Sequence, residues 1–231
     1  MNDEEVFKKL DNILKCEEFP SYFINSIRND KEFKESKFNI LNKLEGIEQE
    51  KRFHPEGNVW NHTCMVTDKA AEVSNFADDK RSFMWAALLH DVGKVTNTKW
   101  IRGRWRSYDH DTAGANIVRD ILSLVSSDKR FNLRVETLVK FHMHHIYIDK
   151  NLPFGDMKGL IDTNNIKDLM LIFTCDKLGR GNKDTKDRKN IFCELKSILG
   201  KIEKEANCQY KDIKEILSYI ERKECSLKEI F

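Results

Sequence analysis

Apolar residues recur at helical spacing along most of the chain. Val6, Phe7, Leu10, Ile13 and Leu14, then Phe38, Leu41 and Leu44, predict short helices within roughly the first 45 residues. Longer periodic stretches predict helices over 59–75, about 81–90, 111–126, 129–145, 164–177, 186–205 and 210–222. Asn58 stands just before the first of these, where a side-chain oxygen can cap the helix. Residues 92–109 carry no apolar period, and Trp100-Ile101-Arg102-Gly103-Arg104-Trp105 predicts a small β-hairpin turning at Gly103. Only 10 glycines and 3 prolines occur in 231 residues, too few turn formers for a β-sandwich or barrel. The expected fold is all-α, a helical bundle with one short hairpin near 99–108. Its expected parts are an N-terminal helical extension over 1–48, a core over 49–185, and C-terminal helices over 186–231 with Leu195, Ile198, Leu199 and Ile202 on the buried face.

Polar residues interrupt the apolar stripes at five places. His62 falls on the face marked by Val59, Val66, Ala70 and Val73, and Phe83 and Ala87 lead to His90 and Asp91. Gly114, Ile117 and Ile121 extend back to His110, Val135 and Leu138 lead to His142, and Leu169 and Phe173 lead to Asp176. Residues three and four apart share a helix face, so each of these groups points inward. Taken singly, each has an ordinary explanation as a hydrogen-bonded core histidine or a helix-end cap. Jointly they do not, because buried carboxylates near one another are costly and repel. A divalent cation at a common point resolves this by neutralising Asp91 and Asp176 and taking imidazole nitrogens from His62 and His90. Mixed imidazole and carboxylate ligation with open positions suits manganese, iron, nickel, cobalt or zinc, and magnesium less well.

The ordered segments His54-Pro55-Glu56-Gly57-Asn58-Val59-Trp60-Asn61-His62-Thr63, Ala86-Ala87-Leu88-Leu89-His90-Asp91-Val92-Gly93-Lys94, Tyr108-Asp109-His110-Asp111 and Cys175-Asp176-Lys177-Leu178-Gly179-Arg180 carry a further signal. Together they resemble the HD phosphohydrolase superfamily, and within it the HD domain of bacterial CCA-adding enzymes (tRNA nucleotidyltransferases), over roughly residues 50–185. The chain departs from those enzymes in having only about 50 residues before His54 and no Gly-Ser dipeptide, so their polymerase reaction is not expected here. Val92-Gly93-Lys94 replaces the Glu-Asp dipeptide of alarmone hydrolases, and the Gly-Tyr-Pro signature of cyclic-di-GMP hydrolases is missing.

The resemblance implies an HD-domain helical bundle with His62, His90, Asp91 and Asp176 as metal ligands. In relatives with two metals additional histidines hold the second ion; His110 and His142 match them, and otherwise would bind phosphate or donate the leaving-group proton. His144 and His145 fall at or beyond the helix end and are not expected to touch a ligand. The implied activity is that of a divalent-metal-dependent phosphohydrolase, a phosphatase or phosphodiesterase acting on nucleotides, 2′,3′-cyclic phosphates or RNA ends. Asp91 would orient the attacking water, and Lys94, expected in the loop past the helix, would neutralise phosphoryl charge. Arg180, four residues after Asp176, would clamp a phosphate or cap its helix.

Composition narrows the partners. Lys+Arg 40 against Asp+Glu 38 leaves a net charge of +2, which excludes a globally basic coat protein but allows local patches. Lys99, Arg102, Arg104 and Arg106 alternate with Trp100 and Trp105 without an acid, and residues 177–189 carry six cations against Asp184 and Asp187. Arg104 and Trp105 are thus candidates to pair a phosphate and stack a base, with tRNA or another nucleic acid as a partner. No apolar run reaches the ~18 residues of a membrane span, and the N-terminus Met1-Asn2-Asp3-Glu4-Glu5 is too acidic for a signal peptide, so a cytoplasmic protein without membrane contact is expected. The six cysteines form no Cys-x-x-Cys pair and are expected to be reduced thiols in or near the core. The alternative to an enzyme is a catalytically silent HD-fold module that binds RNA or nucleotides.

Overall fold

A computed structural model of the protein describes residues 3–226. Its elements in chain order are α1 (Asp3–Cys16), α2 (Pro20–Ile27), α3 (Lys31–Glu35), α4 (Ile40–Lys43), α5 (Val59–Val73), α6 (Lys80–Leu89), α7 (Lys94–Asn97), β1 (Thr98–Ile101), β2 (Arg104–Ser107), α8 (His110–Val125), α9 (Lys129–Phe141), α10 (His144–Asp149), α11 (Met157–Asp162), α12 (Ile166–Leu178), α13 (Thr185–Ala206) and α14 (Lys211–Ser226). The fold is all-α with a single hairpin, as the periodicity predicts. Caps set several helix starts: the Asn58 carboxamide oxygen accepts from Asn61 N–H at 2.9 Å, and Asp79 accepts from Ser82 N–H at 3.0 Å. No helix among the described residues is long and apolar enough to cross a membrane.

The centre of the molecule is the packing of α5, α6, α8, α9 and α12 on one another. Val66, Ala70, Phe83, Ala87, Val135, Leu138, Leu169 and Phe173 are buried there, each contributing up to about 1.5–3 kcal/mol for the larger side chains. Helix α1 lies on α6, where Phe7 stacks on Trp85 with ring centroids 4.9 Å apart. Arg81 joins the same contact, pairing with Asp11 at 2.7 Å and lying over the Phe131 ring of α9 at 4.1 Å. On the far side α13 packs against α12 and α10, and α14 covers α13.

Three expectations need correction. The helix predicted over 129–145 stops at Phe141, and a turn at His142 and Met143 separates it from α10. Helix α11 was not expected at all. The cysteines are free, but Cys16, Cys193 and Cys208 are exposed rather than core residues; only Cys175 is fully buried. The hairpin does form, with Trp100 opposite Trp105 and Thr98 opposite Ser107. Arg102 (φ 51) and Gly103 (φ 78) give its two central residues the left-handed conformation of a two-residue hairpin turn. Strand alternation puts the two tryptophans on one face and Lys99, Arg104 and Arg106 on the other, so aromatic and cationic groups separate rather than mix.

Candidate metal centre

Two close backbone approaches assemble the site. After α6 ends, His90 and Asp91 enter a turn that crosses the start of α8 at Gly93. A Cβ on Gly93 would stand 2.0 Å from the His110 carbonyl oxygen and 2.5 Å from Gly114 N, so only glycine permits this crossing. It brings His110 Nε2 within 3.2 Å of Asp91 Oδ1. At the other end of the site Gly179 closes α12 onto α5, where a Cβ would meet Val66 Cγ2 at 2.7 Å. That contact seats Asp176 Oδ1 3.1 Å from His62 Nε2.

The two carboxylates organise the cluster. His62 Nε2 also lies 3.7 Å from Asp91 Oδ2, and His90 Nε2 lies 3.4 Å from the same oxygen. The ligand atoms of His62, His90 and Asp91 all fall within 4.8 Å of one another, as do those of Asp91, His110 and His142. Asp91 thus belongs to both groups: its other oxygen faces His110, and His142 Nε2 at 3.6 Å, while these two nitrogens are 3.2 Å apart. His145 Nε2 stands 3.2 Å from Asp176 Oδ2.

The ring orientations are fixed by the backbone. His90, His110, His142 and His145 each direct Nδ1 at the carbonyl three residues earlier, those of Ala87 (2.9 Å), Ser107 (2.6 Å), Val139 (2.6 Å) and His142 (2.8 Å). A carbonyl only accepts, so Nδ1 carries the proton and, in the neutral rings, Nε2 turns a lone pair inward. His62 does the same through the Gly179 carbonyl at 3.1 Å. Inward nitrogens and carboxylate oxygens are then all acceptors facing acceptors, which requires protons or a cation between them. The buried Nε2 atoms of His90 and His145 have no hydrogen-bond partner. This donor set fits a divalent cation of the kind that takes both imidazole and carboxylate.

Electrostatics supports the same assignment. Lys94, expected in a loop, opens the short α7 and is buried, its Nζ 2.7 Å from Asp91 Oδ2 and 2.8 Å from Gln49 Oε1. Arg180 reaches both Asp176 oxygens, at 2.7 and 2.6 Å. Burial opposes ionisation of Asp91, but Lys94 and the surrounding imidazoles outweigh it and hold the carboxyl well below the usual range. Burial is likewise outweighed at Asp176, chiefly by Arg180. Burial pushes His90 down and His145 to about 3, keeping both neutral. At His62 burial is overcome by Asp176 and Glu56, which raise it.

The structure therefore brings His62, His90, Asp91 and Asp176 together with His110, His142, Lys94 and Arg180. It adds His145, which the sequence left outside because the predicted helix ended there. Past the helix break at His142 and Met143, His145 faces inward, while His144 Nε2 accepts from Asp156 N–H at 3.1 Å. Glu56, His54 and Gln49 were also given no role; the His-Pro-Glu run just before the Asn58 cap was the available signal. Arg104 and Trp105 lie outside the cluster: Arg104 is exposed, and Trp105 contacts the Trp100 ring.

The HD domain model matches residues 59–181, more than half of the chain and nearly all of this cluster. The chain belongs to the HD domain family. Similar proteins include the Multifunctional CCA protein of Actinobacillus pleuropneumoniae serotype 5b, 31% identical over 110 residues, which are 46% of this chain and 26% of that protein. The Multifunctional CCA protein of Methylococcus capsulatus is 30% identical over 128 residues, 55% of this chain and 28% of its own length. This HD domain chain spans about a quarter of the length of the curated relatives it matches. Membership places it in a superfamily of metal-dependent phosphohydrolases, and its buried His/Asp cluster fits a divalent metal.

Proposed function

We propose that this HD domain is a cytoplasmic phosphohydrolase that cleaves phosphate monoesters or diesters of nucleotides, 2′,3′-cyclic phosphates or RNA ends. His62, His90, Asp91 and Asp176 would hold one divalent cation, and His110 and His142 with Asp91 a second. A cation so held supplies Lewis-acid polarisation of a phosphoryl oxygen and a water acidic enough to attack at neutral pH. Asp91 faces both groups of nitrogens and can orient the attacking water. His110 and His142 stand beside Asp91 and, where they hold no metal, can give a proton to the leaving oxygen. Lys94 and Arg180 are positioned to neutralise phosphoryl charge as it builds. The likeness to CCA-adding enzymes supports an RNA terminus as substrate, with tRNA as a partner. Trp105 would stack a base of such a strand on the tryptophan face of the hairpin, and Arg104 would pair a phosphate only on the opposite face.

One observation carries this reading: imidazole nitrogens aimed at two carboxylates, with two of those nitrogens left unpartnered in the interior. A silent binding module has no need to keep such a cluster. The test is to measure metals bound to the purified protein and to assay a generic phosphodiester and phosphomonoester with manganese, nickel, cobalt and magnesium. Asp91→Ala should remove both metal uptake and turnover. Full turnover in that variant overturns the mechanism.

A further inference from the structure

Four of the five inward-facing histidines hold their orientation through a carbonyl of their own turn, but His62 cannot. It lies in the first turn of α5, where the Val59 carbonyl is taken by Thr63 Oγ1 at 2.9 Å. Its Nδ1 instead meets two groups from outside the helix. One is the Gly179 carbonyl at 3.1 Å. The other is Glu56 Oε1 at 3.0 Å, a carboxylate buried at 3% side-chain exposure. None of the other four rings has a carboxylate at its Nδ1.

Glu56 is itself held in place. Oε1 also receives His54 Nδ1 at 2.9 Å, and the His54 ring meets the His62 ring edge-on with centroids 4.9 Å apart. Oε2 is buried with no partner. A carboxylate with one oxygen shared by two imidazoles and the other unpaired is a poor arrangement for stability. It is a good one for strengthening a ligand, because negative charge behind an imidazole increases electron density at the opposite nitrogen.

We infer that Glu56 is a positioning residue whose charge behind His62 Nδ1 strengthens His62 Nε2 as a metal ligand. The inference rests on the metal centre proposed above. The rival is Gly179: if its carbonyl alone orients the ring, the Glu56 charge is dispensable.

Titration of the full chain with manganese or nickel alone, followed calorimetrically, separates the two. Glu56→Gln keeps the shape and an acceptor but removes the charge, and should weaken metal affinity about tenfold; Glu56→Ala should weaken it by about 10–100-fold. Nitrogen NMR should show the Nδ1 atoms of His62 and His54, both bonded to Glu56, shifting on Glu56→Gln while the rings of His90, His110, His142 and His145 stay put. Unchanged affinity in Glu56→Gln overturns the charge role, and does so whether or not Glu56→Ala folds. Wild-type protein that takes up no metal overturns the metal centre and this inference together, whereas normal wild-type uptake with an unaffected variant overturns this inference alone.

Discussion

Asp168 and Asp176 sit two turns apart on the same helix, α12; both are buried, and both are paired with an arginine. Their surroundings differ in one respect. Asp168 is saturated: Oδ1 accepts from Asp78 N–H at 2.8 Å, and Oδ2 accepts from Arg134 Nε and Nη2 at 3.2 and 2.7 Å. It ties α12 to α9 and to the loop before α6. Asp176 meets Arg180 from its own helix and, beyond it, the Nε2 atoms of His62 and His145. One acid closes a network, whereas the other, though paired with Arg180, also faces His145 Nε2, which has no hydrogen-bond partner. Burial of an acid therefore does not by itself point to a metal; what sets Asp176 apart from Asp168 is the pair of imidazole nitrogens gathered at its oxygens.

The sharpest way to break this contrast is to delete each carboxylate. Asp176→Ala should abolish phosphoester hydrolysis and metal uptake, and should also cost stability at neutral pH, because Arg180 and His62 lose their counter-charge. Hydrolysis at the wild-type rate would put Asp176 on the same footing as Asp168. Asp168→Ala should leave metal uptake intact and destabilise the fold by about 3 kcal/mol, since the mostly buried Arg134 loses its partner. Arg134→Ala should cost a similar amount for the complementary reason, and urea denaturation measures both.

The arginines give a smaller effect. Arg180→Ala should raise KM for a phosphodiester by about tenfold, the loss of a charge-assisted phosphate contact being worth roughly 1.5–3 kcal/mol. Its stability cost in chelator should be smaller than that of Arg134→Ala, because Asp176 keeps the His62 and His145 imidazoles whereas Asp168 keeps only the Asp78 amide. A loss of stability as large as that of Arg134→Ala would show that the two ion pairs serve the same purpose.

The contrast was only half visible in the sequence. The stripe through Leu169 and Phe173 led to Asp176, and similar stripes led to His62, His90, Asp91, His110 and His142, because a helix face is readable from spacing alone. Asp168 lies beside Leu169 in the same apolar run, but its partners Arg134 and Asp78 come from distant segments that spacing cannot join. His145 was missed for another reason: it falls at the end of the helix predicted over 129–145, and no glycine or proline marks the turn at His142 and Met143 that starts a new helix through it. The hairpin's existence followed from its lack of helical period and from Gly103. The opposite faces taken by Trp105 and Arg104 follow from strand alternation once the register is known.

The finest test uses pH, because the two acids should bias stability in opposite directions. Burial raises the Asp168 carboxyl above its ordinary value, with Arg134 and the Asp78 amide only partly compensating. A group raised in the folded state favours folding while protonated, below its unfolded value of ~3.9, and that contribution is lost as pH rises through the folded value. Asp176 is held well below the ordinary range, with Arg180 the largest influence opposing burial. Its ionised form favours folding above ~3.9, and that contribution is lost as pH falls through the folded value. Subtracting the unfolding free energy of Asp168→Asn from that of wild type in chelator should give a difference that shrinks from acid to neutral pH. The same subtraction for Asp176→Asn should give one that grows. Parallel slopes would mean that the two carboxylates share one electrostatic environment, and that the open partners of Asp176 do not set it apart.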